Sequence, residues 1–97
     1  MNDFETIRQR AIDCVMQSPA ARAVDRVVVS PSWYFDEENF VHIDIVLKDS
    51  ASIDGRTALF LTSDLSNLIR EATRAQAMAY VRYLASEDAK DMIPEAA

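Results

Sequence analysis

The 97-residue chain is 49 % apolar and 27 % charged, with a net charge of −6. This is globular composition, sufficient for one domain with a modest core, and not that of a disordered chain. A single glycine excludes the glycine-rich phosphate loops, no apolar run reaches the roughly 20 residues of a membrane span, and one cysteine excludes an internal disulfide.

The charge is unevenly placed. Residues 1–35 balance four acids with four arginines, and residues 36–54 carry six acids against Lys48. Residues 55–83 hold four arginines against two acids, and the remainder is acidic again. The opening MNDFETIRQR lacks the apolar stretch of a signal peptide, so a cytoplasmic protein is expected.

Asn2 and Glu5 resemble a capping box. Phe4, Ile7, Ala11, Ile12, Cys14 and Val15 then share one side of a helical wheel, and Ser18-Pro19 ends the helix. Arg8 lies near that stripe, where its stem can cover apolar surface. A linker over Ala20–Asp25 leads to the most informative stretch, Arg26 to Lys48.

There Val41, Ile43, Ile45 and Leu47 alternate with His42, Asp44, Val46 and Lys48, and Val27, Val29, Pro31 and Trp33 repeat the same period. A hairpin follows, with Asp36-Glu37-Glu38-Asn39 as its turn. Matching the apolar faces favours an odd loop within it, such as Asp36 to Glu38, which sets Trp33 opposite Val41, Val29 opposite Ile45 and Val27 opposite Leu47, whereas an even loop would oppose Trp33 to His42.

Asp49 to Gly55 reads as a loop, and residues 57–61 fit either a short strand or a helical turn. Ser63 with Asp64 is the clearer helix start. Leu65, Leu68, Ile69, Ala72 and Gln76 form its apolar stripe, with Asn67, Arg70, Glu71 and Arg74 facing solvent. The helix is expected to end near Ala77. A strand over 79–85 and a short helix over 87–92, opened by Ser86-Glu87-Asp88, follow it. The tail around Pro94 is expected to fray.

The expected fold is therefore a single two-layer α+β domain over 1–97, ordered α-β-β-α-β. A small antiparallel or mixed sheet carries two helices on one face, and a short helix ends the chain. The alternative replaces the last strand with one long C-terminal helix. The outline resembles small bacterial α+β proteins in general, with no motif that belongs to one family.

Chemistry-bearing signatures are sparse. One histidine and one cysteine give no metal-site spacing, and no cofactor or catalytic group is expected. A cluster of His42, Asp44, Ser30 and Ser32 on one hairpin face would be the place for a small enzyme. However, residues two apart on a strand lie roughly 7 Å from one another, beyond direct hydrogen bonding. Cys14 reads as a small buried hydrophobe, and Trp33 as a core anchor more than a base-stacking platform.

The hairpin face turned from the core carries Val28, Tyr34, Phe40 and Val46 among Ser30, Ser32, His42 and Asp44. Mixed apolar and aromatic surface of this kind marks protein contacts. Together with the acidic Asp36, Glu37 and Glu38, it points to a non-enzymatic protein that acts by protein–protein interaction. An antitoxin, immunity protein, secretion chaperone or regulatory subunit would fit, with another protein or a second copy as partner. No membrane role is expected. Nucleic-acid binding through Arg70, Arg74 and Arg82 is the second reading, disfavoured by the acidic balance.

Overall fold

A computed structural model describes residues 4–31 and 40–92. The elements are α1 (Phe4–Met16), a 3-10 turn (Pro19–Ala23), β1 (Val24–Pro31), β2 (Phe40–Leu47), α2 (Gly55–Ala72), β3 (Met78–Ala85) and α3 (Ser86–Met92). The sheet is mixed, in the order β1-β2-β3, with β1 antiparallel and β3 parallel to the central β2. The fold is α+β in the expected order, and the strand over β3 excludes the single long C-terminal helix.

Period-two alternation sorts the sheet into two faces. Val29, Val41, Ile43 and Ile45 point inward and meet Ile7, Ala11, Val15, Leu61, Leu65 and Ile69 from α1 and α2. Burial of these β-branched side chains against two amphipathic stripes is what holds the layers together. Phe4, Ile12, Cys14 and Leu68 pack at the margin of this core, as their helical spacing predicts.

The hairpin register departs from the sequence reading. Val29 pairs with Ile43 and Val27 with Ile45, two residues from the expected partners. A shift of two preserves every face, so hydrophobic matching cannot distinguish the two registers. Asp25 bulges out between the Val24–Leu47 and Arg26–Val46 pairs. Trp33, and the turn at Asp36 to Asn39, lie outside the described residues, as do Asn2 and Pro94.

α2 begins eight residues before the expected Ser63. Asp54 caps it, its carboxylate accepting the Thr57 amide hydrogen at 2.8 Å and the Thr57 hydroxyl at 3.1 Å. Residues 57–61 are thus helical, and Leu61 joins the core. The helix ends at Ala72, before the expected Ala77, with neither glycine nor proline to stop it. The amide of Arg74 donates to the Glu71 carbonyl and that of Ala75 to the Arg70 carbonyl, with Arg74 and Ala75 at φ of 54° and 64°. This is a Schellman ending built without glycine. The Thr73 hydroxyl donates to the Ile69 carbonyl and accepts from the Ala77 amide, linking the turn to β3.

Candidate functional site

The outward face of the sheet is ordered in rows across the strands. Phe40 sits beside Met78, Ser30 beside His42 and Tyr80, Val28 beside Asp44 and Arg82, and Arg26 beside Val46 and Leu84. Each row does something different.

The last row is covered. α3 folds back over it, and Val46, Leu84 and Ala89 form a second small apolar cluster. Val46, expected on the open face, is 1 % exposed and has no surface to offer a partner. The correction comes from α3: its start was legible, but nothing in its sequence specified which sheet face it would take. The Ser86 hydroxyl donates to the Leu47 carbonyl at 2.6 Å, pinning α3 to the end of the central strand.

The next row holds an ion pair. Arg82 donates through Nε and a terminal nitrogen to both oxygens of Asp44, at 2.7 and 3.1 Å. The Asp44 side chain is 6 % exposed and that of Arg82 28 %. This bond to Asp44 raises the Arg82 pKa further above the ordinary guanidinium value, against the opposing effect of burial. Both groups are consumed by this pairing. Asp44 is therefore not an orienter for His42, and the enzyme-like cluster is not assembled among the described residues. Ser32 lies outside them. Arg82 is likewise held on the outward face, whereas Arg70 and Arg74 belong to the end of α2 in the inner layer, so the three arginines form no common patch.

Among the described residues, no helix covers the first two rows. His42 stacks on Tyr80 with ring centroids 5.1 Å apart and planes at 18°. Tyr80 is 49 % exposed and Met78 58 % exposed, flanked by the half-buried Val28, Ser30 and Phe40. Met78 and Tyr80 were missed as surface residues. Their alternation along β3 was visible, but the parallel pairing that sets them beside Phe40 and His42 was not. Of the other residues read as contact positions, Tyr34, Asp36, Glu37 and Glu38 lie outside the described residues.

A shallow groove of about 550 Å³ runs between α1 and α2, lined by Asp13, Cys14, Asp64 and Leu68 among others. Burial pushes the Cys14 thiol pKa up, and the nearby Asp64 charge adds to the shift. Both effects disfavour the thiolate, and Cys14 is half-buried at the margin of the core, not fully buried as its place on the helical stripe suggested. Among the described residues, no group of three or more His, Cys, Asp or Glu is placed to hold a metal ion, and no helix is long and apolar enough to cross a membrane. No protein-family model, curated protein or solved structure matches the chain.

Proposed function

We propose that this is a cytoplasmic, non-enzymatic protein that works by docking the open half of its outward sheet face on a protein partner. The observation that carries the reading is the contiguous surface of Phe40, Met78, His42 and Tyr80, which no helix covers among the described residues. Two long apolar or aromatic side chains more than 40 % exposed beside two half-buried rings lose hydration cost when covered. The Asp44–Arg82 pair next to them gives a polar rim whose charges already satisfy each other.

A role resembling that of an antitoxin, immunity protein, chaperone or regulatory subunit agrees with the acidic balance, which speeds encounter with a basic partner. Association of two copies through the same patch would be two-fold. The test compares wild-type protein with the Phe40→Lys and Tyr80→Lys variants in affinity capture from native extract and in sedimentation. A partner or dimer retained by wild type and lost by both folded variants supports the reading. Equal capture by all three, with a monomer throughout, removes it.

A further inference from the structure

A three-stranded sheet has two edges, and here they differ. β1 is blunted by the Asp25 bulge, by the exposed charges of Asp25 and Arg26, and by Pro31, which has no N–H to offer. β3 has none of these devices. It runs eight residues, Met78–Ala85, contains no proline or bulge, and has one charge, Arg82, already paired with Asp44. Its outer backbone groups have no strand partner among the described residues.

The helix above this edge supplies a wall. The Tyr83 hydroxyl donates to the Ala58 carbonyl at 3.0 Å and shares a 2.8 Å hydrogen bond with the Thr62 hydroxyl, so α2 lies over β3. Helical spacing puts Leu59, Thr62, Ser66 and Arg70 on that same flank. Leu59 is 66 % exposed, and Arg70 is exposed without a carboxylate partner among the described residues. The two acids of α2, Asp64 and Glu71, fall on the opposite flank, where Asp64 lines the groove toward α1. The wall beside β3 is therefore apolar and cationic, on a chain that is otherwise acidic.

We propose that the β3 edge accepts an extended acidic peptide strand of a partner protein, added to the sheet beneath the Leu59–Arg70 flank of α2. Backbone hydrogen bonds to β3 would hold it, an inward apolar side chain would cover Leu59, and a carboxylate would meet Arg70. A second copy of β3 does not fit this position. Two-fold edge pairing is antiparallel and keeps both α2 helices on one side of the sheet. It would bring the two Leu59–Arg70 flanks face to face and set like charges against each other. A lone extended strand has no such helix. This edge is distinct from the outward face, and the inference stands without the docking reading proposed for that face.

The test uses the full chain and a fluorescein-labelled peptide of repeating Val-Thr-Glu-Thr, whose valines and glutamates share one face of an extended strand, read by anisotropy and by amide exchange. Binding with new amide protection along Met78–Ala85 is expected. Leu59→Glu and Arg70→Glu should each weaken it by about tenfold or more, while leaving the circular dichroism unchanged because both side chains are exposed. Phe40→Lys, on the outward face, should bind as wild type does. The proposal is overturned by absence of binding at millimolar peptide, by equal binding of the peptide with lysine in place of glutamate, or by protection along β1 instead of β3. A protein that dimerises in sedimentation with concentration-dependent protection of β3 would assign the edge to a second copy and equally overturn it.

Discussion

Asp44 and Arg82 illustrate how one pair can close several functional options at once. Removing Arg82 leaves a carboxylate that is 6 % exposed without its partner, whereas removing both groups leaves no charge to solvate. Arg82→Ala should therefore cost about 3 kcal/mol, the low end for breaking a buried pair, because Arg82 retains some solvent contact. The double change Asp44→Leu with Arg82→Met should recover most of that loss in denaturant melts. A single variant within about 0.5 kcal/mol of wild type would mean the pair is solvated in solution. Tyr83 offers a second residue-level test. Its hydroxyl bonds Ala58 and Thr62, and burial raises its pKa above the ordinary phenol value. The folded state thus favours the neutral phenol. The resulting stability is complete below about pH 10 and is lost as pH rises through the raised value. Tyr83→Phe should cost about 1 kcal/mol at neutral pH and abolish that alkaline decline.

At the scale of the elements, the end of α2 carries the clearest conformational cost. Arg74 and Ala75 both occupy the left-handed region, which disfavours residues with a Cβ by roughly 1–2 kcal/mol each. Ala75→Gly should stabilise the fold, by up to about 1 kcal/mol once the greater freedom of glycine in the unfolded chain is deducted. A loss in thermal melts would mean that Ala75 leaves this conformation in solution. The same turn explains what was and was not legible. β2, β3 and the faces of α1 declared themselves through periodicity, because burial on one side writes a period into the residues. The end of α2 carried no glycine or proline, and its cap at Asp54 stood before an ambiguous Thr-Ala-Leu-Phe-Leu run, so both boundaries were misplaced. Hydrogen bonds from Thr57 lower the Asp54 pKa. The cap should hold above the ordinary carboxylate range and fail as pH falls through the depressed value, visible as fraying of the first turn of α2 in amide exchange.

For the whole molecule, the division of the outward face decides what surface the protein presents. α1 and α2 cover one side of the sheet, and α3 covers only the end at Val46 and Leu84 on the other. Short helices have little intrinsic stability, so α3 depends on this contact. Ala89 is fully buried at its centre, and a long charged side chain there has no room. Ala89→Arg should therefore release α3 and bare Val46 and Leu84, joining them to the open rows at Phe40, His42, Met78 and Tyr80. Ala89 clusters with Val46 and Leu84 and not with the inward core, so far-UV circular dichroism should fall only by the contribution of a short helix, while dye binding to apolar surface and self-association in sedimentation rise. Ile43→Ala, on the opposite side of the same sheet, should behave differently. It should cost about 2–5 kcal/mol of global stability without creating a new surface in the folded state. If Ala89→Arg lowered the global midpoint as far as Ile43→Ala does, with no gain in dye binding below the transition, α3 would belong to the core's cooperative unit. The outward face would then be built as one piece with the sheet, not capped after it.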